Sequence, residues 1–180
     1  RTGDTYLQLQ NLRELARCAL ARGDLGLAEE RLRQAVPLAL ERGGWLVIEI
    51  YRYLTETLVR QGRLDEAREL VEFAGRNLPP EDAYAQAALR LAEASVATAD
   101  GEQAGAVARF DEALQLLREQ RLLTDLGDAR LAFARALRTF GEHADARAEL
   151  ERAREEFAQM DARELVAQID RELAEEVTGA

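Results

Sequence analysis

Glycines recur at Gly23, Gly62, Gly101 and Gly141, every 39 to 40 residues. Five residues after each comes an alanine: Ala28, Ala67, Ala106 or Ala146. Four residues further stands a larger apolar residue, Leu32, Val71, Phe110 or Leu150. Three beyond that comes a second alanine, Ala35, Ala74, Ala113 or Ala153. Positions i, i+4 and i+7 share one face of an α-helix. The small residues let two helices approach closely, and the large one fills the gap beyond. A unit of this length cannot bury its apolar face alone and must stack on its neighbours. The pattern therefore dictates an array of helices.

The composition agrees. The chain has only three prolines, is rich in Ala, Leu, Arg and Glu, and is poor in aromatics, which favours helix over strand. At 180 residues it can bury roughly 70% of the surface its unfolded form exposes. The net charge of −10 argues against non-specific nucleic-acid binding, which needs a basic surface, and keeps an exposed array soluble. All 24 basic residues are arginine. Without lysine there is neither a P-loop lysine nor a Schiff base. One cysteine makes no internal disulfide, which suits a reducing, cytoplasmic compartment. One histidine and one cysteine far apart make no zinc site, so neither metal nor cofactor is expected. No apolar run approaches a membrane span, and no signal peptide is visible. The chain begins at Arg1 rather than methionine, which reads as a piece of a larger protein.

Helix punctuation predicts nine helices. The first starts from a cap at Thr2 or Asp4 and runs to about 22. Gly23 takes the left-handed position that ends a helix, and Asp24 caps the next. Pro37 predicts a kink or an early end between 33 and 37. Gly43 and Gly44 break the chain before Trp45. The third helix carries Ile48, Tyr51, Leu54, Thr55 and Leu58 on its packing face, and Gly62 closes it. The fourth carries Leu64 to Leu78 and ends at Pro79 and Pro80, with Pro80 as first residue of the fifth. Helices then run over about 81–99, 102–120, 123–140 and 142–160. A last one at 161–176, apolar at Leu165, Val166, Ile169 and Leu173, reads as a terminal cap. In the third copy Leu91, Ala92 and Ser95 are read as the first-helix packing positions. They sit two residues early relative to Gly101, so 97–101 reads as an enlarged turn.

These residues resemble the tetratricopeptide repeat, in which antiparallel helices A and B meet at a small residue and a glycine ends helix A. The helix A positions match at Leu12, Leu15, Ala16 and Ala19, at Tyr51, Leu54, Thr55 and Leu58, and at Phe133, Ala134 and Leu137. Pro79 falls where the family often places its closing proline. The resemblance implies an all-α, right-handed superhelical solenoid in one domain over 1–180. Its repeats fall at 4–43, 44–79, 80–120 and 122–160, with a capping helix at 161–177. The period exceeds the family's usual length of about 34 residues. The long period and tails such as 146–173 look like repeats in large bacterial signalling proteins. Those include ATPase-coupled transcription regulators of the MalT and LuxR-like type and multidomain nucleotide cyclases.

In that family helix A lines the concave face. The matching positions are Arg13 and Arg17; Glu49, Arg52, Glu56 and Arg60; Gln86, Arg90 and Glu93; and Asp128, Leu131, Arg135 and Arg138. Arginine forks grip carboxylates and phosphates at two points. The partner-binding expectation is thus an acidic peptide or protein segment held by Arg13, Arg17, Arg52, Glu56, Arg60, Arg90, Arg135 and Arg138. The opposing expectation is that these arginines pair with neighbouring acids. A second reading is the effector-sensing domain of a MalT-like regulator, which a closed apolar pocket would favour. A peptide-pheromone receptor has similar repeats, but no DNA-binding helix-turn-helix is seen here. No catalytic constellation is readable. His143 is expected in an exposed turn, Cys18 packed or half-buried, and Trp45 filling a joint at a helix start. The acidic pairs Asp65–Glu66, Glu155–Glu156 and Glu175–Glu176 are expected in solvated surface ion pairs.

Overall fold

The computed structural model describes residues 2–43, 45–77 and 81–178. Among them lie nine α-helices and no strand. They are α1 (Thr2–Arg22), α2 (Leu25–Arg42), α3 (Trp45–Arg60), α4 (Leu64–Arg76), α5 (Ala83–Ala99), α6 (Gln103–Glu119), α7 (Leu123–Thr139), α8 (His143–Gln159) and α9 (Arg163–Thr178). α1 packs on α2, α3 on α4, α5 on α6 and α7 on α8. Each second helix also packs on the first helix that follows, so the helix pairs stack into a superhelical array.

The repeat pattern is the buried seam. Ala28, Ala67, Ala106 and Ala146 are wholly buried, as are Ala35, Ala113 and Ala153. Leu32, Phe110 and Leu150 fill the space between them, while Val71 is half-buried. The first helices meet this seam with a small residue seven before the turn glycine: Ala16, Thr55, Ala94 and Ala134, each wholly buried. Small residues on both sides bring the helix backbones together.

One turn geometry joins the helices of each pair. The N–H of Gly23 donates to the Leu20 carbonyl at 3.1 Å, and that of Asp24 to Ala19 at 2.9 Å. The same two bonds recur at Gly62, Gly101 and Gly141. This closes the last helical carbonyls and requires a left-handed residue, which glycine supplies at φ +76 to +82°. The turn also recurs where no glycine stands, at Arg121 (φ 56°) and Asp161 (φ 55°). In the second half of the chain a left-handed turn thus falls every 20 residues, at 101, 121, 141 and 161.

Several expectations are corrected. The third repeat has no enlarged turn: 97–99 are helical, and the turn at Gly101 matches the others. Its packing positions keep register with the glycine, so Ala94 and Ala97 are buried and Ser95 is only partly so. α2 does not end early: it runs through Pro37 to Arg42. Pro37 and Arg33 are both exposed, so the carbonyl that loses its donor can bond water. α5 starts not at Pro80 but at Ala83, where the Asp82 carboxylate accepts from the Ala85 N–H at 3.0 Å. Asp24 caps α2 as expected, accepting from Leu27 N–H at 3.1 Å. Asp4 lies inside the first turn of α1 rather than at its cap. Asp161 belongs to a turn, and α9 begins at Arg163. The breaks assigned to Gly44 and to Leu78, Pro79 and Pro80 lie outside the described residues.

Two cores share α5. Ala85, Ala88 and Leu89 join the core of α1–α4; Ala87, Leu91 and Ala94 join the core of α6–α9. An alanine-rich helix can be approached from both sides, which is why α5 sits at the middle. α3 is the other central element, buried from Leu46 through Thr55 and again at Thr57 and Leu58. Two of those buried residues, Glu49 and Arg52, are charged. No described helix is long and apolar enough to cross a membrane.

Candidate functional site: the charged face of the first helices

Helices α1, α3, α5 and α7 present charged side chains to one another. Arg13 Nη1 donates to both carboxylate oxygens of Glu49 at 3.1 Å. The Tyr84 hydroxyl of α5 lies 2.5 Å from Glu49 and 3.0 Å from Asp125 of α7. Arg17 of α1 pairs with Asp128 of α7, and both side chains are mostly buried. Arg135 of α7 donates to Glu56 of α3 at 2.9 Å. Burial pushes the Glu49 and Asp128 carboxyls above the usual carboxylate range, despite the opposing pull of Arg13 on the first and of Arg17 and Arg52 on the second. Burial, with Glu49 and Asp125 nearby, likewise raises the Tyr84 hydroxyl.

Arg52 differs from the other nominated arginines. It is 4% exposed, with its guanidinium 4.5 Å from the centre of the Tyr53 ring. The hydroxyls of Tyr53 and Thr55 are each buried without a hydrogen-bond partner. An Arg52 fork reaches no external carboxylate without rearrangement of α3.

A cavity of about 270 Å³ opens where α3, α5, α6 and α7 meet. Val59, Phe110 and Ala136 give it apolar walls, and Glu56, Arg60 and Arg135 give it charge. Arg60 donates to the Leu20 carbonyl at 3.1 Å and lies 3.8 Å from Glu56. Its burial, with Arg135 close by, holds its guanidinium below the ordinary arginine range despite Glu56.

The structure thus brings Glu56, Arg60 and Arg135 onto one cavity, and Arg13, Arg17 and Arg52 beside the inner ion pairs. It does not bring Arg90 and Arg138 there. Arg90 pairs with Glu93 and with Glu112 of α6, and Arg138 with Glu172 of α9.

Other residues fall as follows. His143 is exposed and opens α8, and Trp45 is half-buried, edge-on to Tyr84 at 5.1 Å. Cys18 is exposed rather than packed. Asp65 and Glu66 sit in surface ion pairs with Arg68 and Arg63. Glu156 does not: it is buried, 2.8 Å from Arg130, which also holds buried Glu149 at 2.5 Å. The side chains of Glu175 and Glu176 lie outside those described. Sequence reasoning missed Tyr84, Asp125 and this buried triad. Counting from the turn glycine was the available signal, because Arg130 occupies the position of Leu12 and Tyr51.

No family model matches the chain, and no curated protein matches it.

Proposed function

We propose that the chain is a tetratricopeptide-like interaction module of the long-period type that resembles bacterial signalling and transcription regulators. In this reading it works in the cytoplasm, carries no catalysis, and holds an acidic peptide or protein segment. The carrying observation is the cavity between α3, α5, α6 and α7. Two guanidiniums there, Arg60 and Arg135, share one carboxylate, Glu56, in a chain of net charge −10. That local excess of positive charge beside apolar walls suits a segment with a carboxylate next to an apolar side chain.

Fluorescence anisotropy with two labelled ten-residue peptides tests it, one alternating Glu and Leu and one alternating Lys and Leu. Saturable binding of the acidic peptide alone, lost in Arg60→Gln/Arg135→Glu and weakened by salt, supports the reading. Equal binding of both peptides, survival in the variant, or no binding overturns it. The cavity's mostly apolar lining suits a second reading, a small organic effector. It predicts protection from thermal unfolding by a small carboxylate but not by either peptide.

A further inference from the structure

The Tyr84 hydroxyl stands between two acids. Its oxygen lies 2.5 Å from Glu49 Oε1 and 3.0 Å from Asp125 Oδ1, both within hydrogen-bond range. A phenol donates only once, and an ionised carboxylate only accepts. With both acids ionised, one of the two contacts would press oxygen on oxygen with no hydrogen between them.

The charges around the site are one short in the same sense. Three guanidiniums stand there, Arg13 and Arg17 on α1 and Arg52 on α3. They face four carboxyls: Glu14, Glu49, Asp125 and Asp128. Arg13 is not free for Glu49 alone, since its Nε and Nη2 donate to Glu14. Glu56, also near Arg52, is held by Arg60 and Arg135. Burial pushes the Tyr53 hydroxyl up, so it adds no charge. Among the described residues, α2, α4, α6 and α8 place no hydrogen bond or ion pair on Glu49, Tyr84 or Asp125. Tyr84 also lines a cleft of about 460 Å³ with Glu81, Asp82 and Gln120. That cleft opens on water and brings two more acids rather than a cation.

One added proton resolves both the contact and the charge. Glu49 is its seat, being 1% exposed where Asp125 is only half-buried. We infer that Glu49, Tyr84 and Asp125 form a proton-binding relay: the Glu49 carboxyl donates to the Tyr84 oxygen, and Tyr84 donates to Asp125. The relay joins α3, α5 and α7, and α5 is the helix that the two cores share. Loss of the proton leaves one O–H for two carboxylates, so one contact across α5 parts. The inner face therefore loosens as pH rises through the Glu49 midpoint.

Carbon-13 NMR of the glutamate carboxyls, with Glu49 assigned through Glu49→Gln, reads the proton directly. Glu49 is expected to titrate at least about one pH unit above the ordinary glutamate value of about 4.3. Tyr84→Phe removes the oxygen that accepts from the protonated acid, so the midpoint is expected to fall by about half a unit or more. A Tyr84 that only donates to an ionised Glu49 would give the opposite shift. Trp45, the sole tryptophan, stands edge-on to Tyr84 at 5.1 Å and reads the contact by fluorescence. Its signal is expected to change at the Glu49 midpoint. In Glu49→Gln, whose amide N–H replaces the carboxyl O–H, it is expected to keep its low-pH level throughout. A Glu49 midpoint at or below the ordinary value, a midpoint that rises or stays in Tyr84→Phe, or a Trp45 signal indifferent to Glu49 overturns the inference. Should Tyr84→Phe fail to fold, the intact chain and Glu49→Gln decide it.

Discussion

Arg17 on α1 pairs with Asp128 on α7, across 111 residues of sequence. A first helix of the first pair thus touches a first helix of the fourth, and the array is tied to itself. Removing either partner leaves a mostly buried charge short of its counter-ion. Arg17→Gln and Asp128→Asn are each expected to destabilise, with a coupling of about 1 kcal/mol or more in a double-mutant cycle. Denaturant melts of the four proteins measure it, and additive effects would mean the pair carries no mutual stabilisation.

Glu49 gives a pH dependence of defined sign. Burial raises its folded pKa above the unfolded value. The folded state then binds more protons than the unfolded one between the two values, so this group's contribution falls as pH rises through that window. The stability of the protein minus that of Glu49→Gln is expected to be greatest in acid and to decline above about pH 4.3, the ordinary glutamate value. Melts from pH 3.5 to 8 check this. A difference that grows with pH would show Arg13 and Tyr84 outweighing burial.

Arg130 holds two buried carboxylates, Glu149 and Glu156, between α7 and α8. Arg130→Ala leaves both without it and is expected to cost about 3–5 kcal/mol, as broken buried pairs do. Arg130→Lys is expected to recover only part of the loss, because a compact ammonium lacks the planar spread by which Nε reaches Glu156 and Nη1 reaches Glu149. Full recovery by lysine in equilibrium unfolding would show that charge alone matters there.

Gly127 and Gly105 are expected to differ in sign. A Cβ on Gly127 would lie 2.6 Å from Cζ of Phe157, a wholly buried ring. Overpacking of about 1–3 kcal/mol then outweighs the helix-propensity gain of about 1 kcal/mol, so Gly127→Ala destabilises. At Gly105 the near atom is Arg109 Nη1 at 2.9 Å, the end of a flexible side chain that can move. Gly105→Ala is expected to stabilise by up to about 1 kcal/mol. Thermal melts of both variants decide it.

Glu29 has the opposite acid behaviour to Glu49. Its burial cost is outweighed by hydrogen bonds from Arg63, Gln61 and Arg33, which hold it at about 2. Its contribution is present above the unfolded pKa and is lost as pH falls toward 2. Glu29→Gln is therefore expected to narrow the acid-induced loss of stability between pH 4.5 and 2, measured by chemical denaturation.

The sequence by itself determined the helices, their pairing and the seam. Ala28, Leu32 and Ala35 and their three repeats encode a face through local periodicity alone, and Gly23, Gly62, Gly101 and Gly141 encode turns through backbone sterics. Only the tertiary structure decided what is distant in sequence. It placed Arg17 on Asp128 and Arg135 on Glu56, buried Arg52 and Glu156, and left Leu15 and Cys18 bare. Arg121 and Asp161 adopt the left-handed turn with no glycine to announce it, because helices packed on both sides impose the conformation. A repeat pattern fixes which face of each helix is small and apolar. Which charges face one another across the array depends on how the pairs stack, and that is set by the sum of the packing rather than by any local run of residues.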